Sequence, residues 1–207
     1  MRQNDLAIEV KDYLGTHPNA AVVNLGCGLD QTGETVADGS FRVYNVDFPD
    51  VIAVRNELLP AGERVKNVPA DLNDTSWFDE IDARDGAVFF AAGVFYYFTT
   101  EQVKALFTKM AARFFGARLV FDAAGKRAVK MMTKTVRQAK IQNVDAYFSV
   151  VDVETDIKPW LPGAKVSQKG FMLGYSDLKV SSVSGFFRFL SKVGDGVMRM
   201  KIVRIDF

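Results

Sequence analysis

Apolar residues along the chain follow two spacings, one typical of buried strands and one typical of helices. Residues 20–25 (AAVVNL) form a continuous apolar run that ends at Gly26, as expected of a strand buried on both faces of a sheet. Further strands are predicted at 41–48, 63–70, 85–92, 117–123, 164–173 and 196–207. Strands that alternate with helical stripes predict an α/β fold with an open, mostly parallel sheet and helices on both faces.

Helices are predicted where apolar residues recur at helical spacing between these strands. The first contains Leu6 to Leu14 and ends near Gly15. Thr99 is expected to cap a later helix, with Gln102 completing a capping box. The other predicted helices cover 51–59, about 126–141, and a segment through Val183, Phe186, Phe187 and Leu190.

The apolar positions of the last predicted strand change phase partway along it. They occupy even positions over 198–202 and odd positions over 203–207. A β-bulge, or burial of the strand on both faces, would account for this change.

Composition and charge exclude several classes of protein. The 207 residues carry 26 Lys and Arg against 25 Asp and Glu, so the net charge of +1 gives no general reason to expect nucleic acid or a membrane as partner. One Cys and one His exclude an internal disulfide, a cysteine-cluster metal site and a multi-histidine metal site.

No segment of the sequence is expected to direct the chain to a membrane or out of the cell. Its longest uncharged run, between Asp85 and Glu101, is too short to span a bilayer. No segment is typical of a targeting signal. We therefore expect a single soluble, cytoplasmic domain over residues 1–207, compatible with self-association as a homo-oligomer.

A glycine-containing turn follows the first predicted strand. Gly26 and Gly28 let the backbone turn tightly and approach a ligand without a Cβ in the way. A dinucleotide-binding fingerprint would need a third glycine where Gln31 stands, which disfavours a nicotinamide-dependent oxidoreductase. By itself this motif is explained equally well as a simple connection between strand and helix.

Two acids at later strand ends change that balance. Asp47 ends the second predicted strand 19 residues after Gly28, near the position expected of an acid that binds ribose hydroxyls. Its alternative role is a helix N-cap, for which Asp50 is better placed. Asp71, followed by Leu72, comes directly after the third strand and could accept a hydrogen bond from an adenine amino group, or simply form a cap or turn.

Four segments in this order resemble the S-adenosylmethionine (SAM) dependent class I methyltransferases. They are VVNLGCGLD (22–30), YNVDFPDVIAVRNELLP (44–60), VPADLNDTSWFDEI (68–81) and FFAAGVFYYF (89–98). They are most similar to the leucine carboxyl methyltransferase family, in the branch of the tetracenomycin-type polyketide O-methyltransferases. The similarity continues through 117–123 and 158–166.

The resemblance implies a Rossmann-like sheet of seven strands whose last strand is antiparallel. It implies SAM as cofactor, S-adenosylhomocysteine as product, and SAM bound by Gly26, Gly28, Asp47, Asp71 and Leu72. Further cofactor-binding candidates are Arg2, Cys27, Asp30, Phe48 and Ala92. Cys27 has no evident base nearby, so we expect it to pack beneath the cofactor rather than act as a nucleophile.

The chain departs from the family pattern in three places. The family usually reads GLDTR after the first strand, and its Arg is absent here. It usually carries Glu-Gly-Val after the fourth strand, where Ala92 precedes Gly93. The chain is also expected to begin at the family's first helix, without the usual upstream segment. These departures keep open a non-catalytic, SAM-binding regulatory module.

The methyl acceptor is expected to be a small molecule with a carboxylate, either polyketide-type or another small organic acid. A carboxylate is ionised at pH 7 and needs no general base, whereas a phenol would benefit from one. The one histidine, His17, lies before the first strand, at the edge of the sheet opposite the expected site. A phenol would therefore depend on Asp122, Tyr96 or Tyr97, the catalytic candidates.

Two more features lie outside the cofactor motif. About half of the aromatic cluster 95–98 is expected to line an acceptor pocket, with the rest in the core. The helix from Lys126 carries six basic residues without an acid among them, namely Lys126, Arg127, Lys130, Lys134, Arg137 and Lys140. A solvated helix face is the simpler interpretation, and docking of an anionic substrate or acidic partner is the alternative.

Overall fold

The computed structural model describes residues 2–138, 146–171, 174–175 and 184–207, and the side chains of residues 136 and 137 lie outside that description. The strands are β1 Ala21–Leu25, β2 Arg42–Asp47, β3 Val65–Pro69, β4 Ala87–Ala91, β5 Arg118–Ala123, β6 Lys165–Gly170 and β7 Lys201–Asp206. The α-helices are α1 Arg2–Leu14, α2 Thr32–Ala37, α3 Pro49–Leu58, α4 Thr100–Arg113, α5 Lys126–Gln138, α6 Val153–Asp156 and α7 Gly185–Lys192.

The strands form one sheet in the order β3-β2-β1-β4-β5-β7-β6. Strands β1 to β5 pair in parallel, and β7 runs antiparallel to both β5 and β6. The α/β fold with a seven-stranded sheet and an antiparallel last strand is therefore confirmed. Strand order reverses between β1 and β4, the position where open α/β sheets bind ligands beyond the carboxyl ends of their strands.

Successive residues of β1 bury opposite faces of the sheet, which explains its continuous apolar run. Val23 packs in the cluster that contains the aromatic side chains of α4 and β5, whereas Val22 packs in the cluster beneath α1. Helices therefore cover both faces, as predicted. Many of the 17 phenylalanines lie in the larger cluster, where Phe95, Phe107 and Phe121 meet edge to face or tilted at 5.1–5.3 Å between ring centroids.

Buried ionic contacts fix α1 against the sheet. Arg118 of β5 donates to Asp12 and to Asp206, both at 2.7 Å, and its guanidinium lies over the Tyr13 ring. Glu9 accepts from Lys169 and from the Tyr175 hydroxyl, both at 2.8 Å. Because α1 is held along its length, the position of its first turn at the carboxyl edge of the sheet is fixed.

The C-terminal strand is shorter than the apolar pattern predicts. It begins at Lys201, and a π-helical turn at Val193–Val197 and an irregular connection precede it. Its pairing with β5 is continuous, so the phase change needs no bulge. Ile202 is buried on one face, and Val203 and Ile205 on the other, so burial on both faces explains the change.

Smaller differences concern helix ends. The Thr99 and Gln102 capping box is confirmed. Helix α3 is capped at Phe48 with Pro49 in its first turn, rather than at Asp50. Helix α2 was not predicted, because its six residues carry no apolar stripe.

Val183 and the end of the predicted basic helix, including Lys140, lie outside the described residues. Within the described ranges, no helix has the length and apolar character needed to cross a bilayer.

Candidate active site

The glycine turn after β1 and the acid at the end of β2 are in direct contact. Leu25 pairs with Val46 and with Ala91, so the carboxyl ends of β1, β2 and β4 lie side by side. At this edge the Gly28 N–H donates to Asp47 Oδ2 at 2.7 Å, and the Phe48 N–H donates to Asp47 Oδ1 at 2.8 Å. The carboxylate is therefore held in one orientation beside the turn.

Both glycines of the turn adopt left-handed backbone conformations, with φ of +63° at Gly26 and +49° at Gly28. Their surroundings differ. A Cβ at Gly26 would lie 2.5 Å from Val94 Cγ2, so the chain after β4 packs directly on it. A Cβ at Gly28 would meet nothing within 4 Å. The space over Gly28, next to the Asp47 carboxylate, is therefore open to a ligand.

Arg55 of α3 holds the glycine turn from below. Its side chain is 1% exposed, and Nη1 donates to the carbonyl oxygens of Gly28 at 2.9 Å and Asp30 at 2.8 Å. Nη2 pairs with Glu34 at 2.5 Å. Sequence reasoning missed this residue, because helical periodicity assigns a charged side chain to the solvent face. Its one signal was an arginine inside the segment that resembles the family.

The two other candidates in the turn support its structure. Cys27 is buried, and burial is the main cause that raises the pKa of its thiol to about 12, which agrees with a packing role. Asp30 Oδ1 accepts from Gln3 of α1 and from the Thr32 hydroxyl, at 2.9 Å and 2.8 Å. Asp30 thus ties the turn to the first turns of α1 and α2.

The third strand end is more exposed. Asp71 Oδ1 accepts from the backbone and side-chain nitrogens of Asn73, both at 2.9 Å, so the carboxylate closes a local turn. Leu72 is buried, and Phe48 presents a half-exposed ring. Strand β3 pairs with β2. Asp71, which follows β3, therefore lies beyond the end of the strand next to the one that ends at Asp47, and Phe48 follows Asp47 directly.

A second group of polar side chains lies at the carboxyl ends of β4 and β5. Asp122 is 6% exposed, and its Oδ1 accepts from the Gly93 N–H at 2.6 Å. Its Oδ2 accepts from the Tyr96 hydroxyl at 3.1 Å and pairs with Arg2 Nη1 at 3.5 Å. The Arg2 guanidinium lies against Gly93, where a Cβ would be 2.8 Å from Nη1.

The protonation of this group follows from its burial. Burial is the largest influence on Asp122 and raises its pKa, while the Gly93 N–H, Arg2 and Tyr96 oppose that change. Burial, the Asp122 charge and the hydrogen bond to Asp122 raise the pKa of Tyr96 far above its ordinary value. Tyr96 therefore keeps its proton and donates it in a hydrogen bond.

Two adjoining cavities open beside Asp122. The first, about 330 Å³, has a mixed wall in which Arg2, Gln3 and Asp122 lie beside apolar side chains. The second, about 420 Å³, is apolar. Its wall is formed by Tyr96, Tyr97, Ala128, Met131, Met132, Thr135, Ala146, Met198 and Met200. Tyr96, Met132 and Met200 line both cavities, so an occupant of the apolar cavity would lie next to the cavity that contains Arg2 and Asp122.

The aromatic cluster divides as predicted, although not by strand alternation. Phe95 is in the core and Phe98 packs against it, whereas Tyr96 and Tyr97 line the apolar cavity. Residues Phe95–Tyr97 form a 3₁₀ turn, so two neighbouring side chains reach the same space. His17 stacks on Tyr13 at 4.0 Å and lies beside Gly86, which precedes β4. The prediction that it lies at the opposite edge of the sheet is confirmed.

Ala92, where the resembling family carries a glutamate, faces an apolar environment. It packs against the cluster of Leu6, Val120 and Ile202. Its methyl group supplies no hydrogen-bond partner to the site. The next residue, Gly93, contacts Arg2 and Asp122.

Comparison with known proteins agrees with this arrangement. A model of the leucine carboxyl methyltransferase family matches residues 10–111, just under half of the chain, which confirms the resemblance over that segment. The tetracenomycin polyketide synthesis O-methyltransferase TcmP of Streptomyces glaucescens is 26% identical over 112 residues, 54% of this chain. The match covers 42% of TcmP, so it spans less than half of that relative's length.

Solved structures share the fold over nearly the whole chain. A DUF574 family protein from Streptomyces avermitilis superposes with a TM-score of 0.69 at 14% identity, covering 99% of this chain and 82% of that one. Magnesium protoporphyrin IX methyltransferase from Synechocystis, solved with bound S-adenosylhomocysteine, superposes with a TM-score of 0.55 at 19% identity and the same coverages of 99% and 82%. The fold is that of class I SAM-dependent methyltransferases.

Proposed function

We propose that this relative of the leucine carboxyl methyltransferase family is a SAM-dependent O-methyltransferase that methylates a carboxylate of a small molecule, polyketide-type or another organic acid. The observation that carries the cofactor assignment is the hydrogen bond from the Gly28 N–H to Asp47 Oδ2 at 2.7 Å. It holds an acid beside a turn with open space above it, at the point where strand order reverses.

The residues at this edge fit SAM. Asp47 would accept from the ribose hydroxyls, since each of its oxygens accepts one backbone N–H and retains further lone pairs. Asp71 and Leu72 would hold the adenine, and Arg2 would pair with the methionine carboxylate. Bound SAM supplies an electrophilic methyl group on a sulfonium. The protein's own contribution is to align the acceptor and to exclude water.

The acceptor assignment rests on the state of Tyr96 and Asp122. The Tyr96 hydroxyl donates to Asp122, and both oxygens of Asp122 already accept hydrogen bonds. Neither side chain is therefore arranged to take a proton from an acceptor. A carboxylate is ionised at pH 7 and needs no such base, so it is the acceptor that this arrangement favours.

The test has two stages. Calorimetry of the full chain with S-adenosylhomocysteine should show binding, and no binding to this product would refute the cofactor assignment. Aromatic acids and phenols of matched skeleton are then offered with SAM, and methyl ester formation from the acids is expected. Transfer to phenols alone, rising with pH as a base is uncovered, would contradict the carboxylate assignment.

A non-catalytic SAM-binding module is the second candidate. It is favoured by Ala92, which packs in an apolar cluster where the family carries a glutamate. Binding of S-adenosylhomocysteine without methyl transfer to either acids or phenols would support this alternative.

A further inference from the structure

Among the residues that the structure describes, the wall of the apolar cavity beside Tyr96 contains no charged side chain. Its volume of about 420 Å³ lies within the range of small-molecule sites, which are mostly apolar with few polar groups. The cavity therefore suits the hydrophobic body of an acceptor. A preference of this cavity for ligands of one charge must come from residues at its mouth.

Helix α5 forms both the wall and the mouth of this cavity. Ala128 and Met132 are on its buried side, whereas Met131 lines the cavity while 55% exposed, which places it at the mouth. Arg127 and Lys134 lie four residues before and three after Met131. Residues at these spacings are neighbours on a helix surface, so two cations flank the mouth.

The charges of these cations are not neutralised within the described residues. Arg127 and Lys134 are exposed and make no ion pair there, and α5 contains no acid from Lys126 to Gln138. By contrast, the buried guanidiniums of Arg55 and Arg118 pair with acids. Lys126 and Lys130 are equally exposed, but the helical spacing turns them further from the cavity.

We propose that the acceptor is an amphipathic anion whose apolar body fills the cavity and whose second anionic substituent, distinct from the methylated group, pairs with Arg127 and Lys134. This substrate class rests on the proposed methyltransferase function. It explains why the basic residues of α5 are grouped beside an uncharged cavity. An anion at the mouth would also orient the body, so that its other end reaches Tyr96 and Asp122.

Two fluorescent probes of matched skeleton test the inference on the full chain with S-adenosylhomocysteine present. 8-Anilinonaphthalene-1-sulfonate carries the anion, and N-phenyl-1-naphthylamine lacks it. The wild type should bind the sulfonate more tightly. Its affinity should fall about tenfold in the Arg127→Ala, Lys134→Ala double variant, as expected for losing two partly exposed ion pairs, while the neutral probe is unaffected.

The control is the Lys126→Ala, Lys130→Ala double variant, which removes the same charge from the same helix and should leave both affinities unchanged. Met131→Glu, at the mouth and in the cavity wall, should weaken binding of the sulfonate more than binding of the neutral probe. Equal binding of the two probes, or equal loss in both double variants, would overturn the inference. S-adenosylhomocysteine affinity, measured by calorimetry in every variant, should not change. If the wild type does not bind S-adenosylhomocysteine at all, the proposed function is refuted rather than this inference.

Discussion

The Arg55 guanidinium donates from Nη1 to the carbonyl oxygen of Gly28 at 2.9 Å, and the same residue's N–H donates to Asp47 at 2.7 Å. Gly28 is therefore fixed from both sides, by a cation below and a carboxylate beside it. A turn held in this way keeps its open upper surface without a ligand. Binding then loses less conformational entropy than it would if the turn had to order.

Arg55→Met should destabilise the protein by about 3 kcal/mol, because it leaves Glu34 and two backbone carbonyls without their cation. Arg55→Lys should cost less, since it keeps the charge but cannot contact three acceptors as a fork. Urea unfolding measures both. The control is Arg113→Met, which removes an exposed pair with Asp79 and should cost under about 1 kcal/mol. Equal losses at both positions would show that Arg55 does not support the turn.

The two glycines of the turn should respond differently to alanine. Gly26→Ala should cost about 3 kcal/mol, because it adds a clash with Val94 to the left-handed backbone. Gly28→Ala should cost only about 1 kcal/mol, for the backbone alone. Its new Cβ would nevertheless enter the open space and abolish S-adenosylhomocysteine binding. Unfolding and calorimetry separate the two effects, and Gly62→Ala, with open space and no left-handed backbone, serves as the neutral control.

Much of this site could be predicted from sequence, because its parts are local. The central strands β1, β4 and β5 show their own apolar runs, and Gly26, Gly28 and Asp47 lie at strand ends that a parallel sheet must bring together. The support of the turn could not be predicted in this way. Arg55 is buried on a helix whose apolar pattern does not reveal which side faces the turn.

The apolar cavity was harder still to predict. Its wall joins Tyr96, Thr135, Ala146 and Met200, which come from four separate parts of the chain. Met198 and Met200 fit the strand pattern of 196–207 but lie in the connection before β7, so periodicity misassigned them. No local pattern reports such contacts, because they depend on how β7 returns beside β5.

Asp47→Asn should weaken S-adenosylhomocysteine binding about 100-fold, since an amide has a single acceptor oxygen for two backbone N–H groups and the ribose hydroxyls. Calorimetry provides the measurement. Asp50→Asn is the matched control, because it makes the same charge change three residues away. Asp50 accepts only from the adjacent Val51 N–H among the described contacts. A similar loss in both variants would mean that bulk charge, not the Asp47 geometry, governs binding.

Glu9→Gln should make stability less sensitive to acid. Burial raises the pKa of Glu9, but hydrogen bonds from Lys169 and Tyr175 and the charges of Lys169 and Arg204 outweigh it, so the pKa is lowered. A lowered carboxyl pKa stabilises the fold above the unfolded-state value of 4.5, and this contribution disappears as pH falls below it. The wild type should therefore exceed Glu9→Gln in urea stability at pH 7, and the difference should shrink towards pH 3. A constant difference would contradict this linkage.

Asp122→Asn should show the opposite dependence on pH. The pKa of Asp122 is raised, chiefly by burial, so the folded protein binds its proton more tightly than the unfolded chain does. Its contribution to stability is greatest below the unfolded-state value of 3.8 and falls as pH rises through the folded pKa. The stability of Asp122→Asn relative to wild type should therefore increase between pH 4 and pH 7, whatever its absolute value.

Tyr96→Phe is the control for this last effect. It removes the hydroxyl that donates to Asp122 but keeps the buried carboxylate, so the decline of stability with rising pH should persist and extend to higher pH. Methyl transfer should fall in both variants, because each loosens the contacts that hold Gly93 and Arg2 at the junction of the two cavities. If Asp122→Asn instead follows the wild-type pH profile, the carboxylate is ionised at no extra cost in the folded protein. The acceptor side of the site would then be hydrated rather than dry.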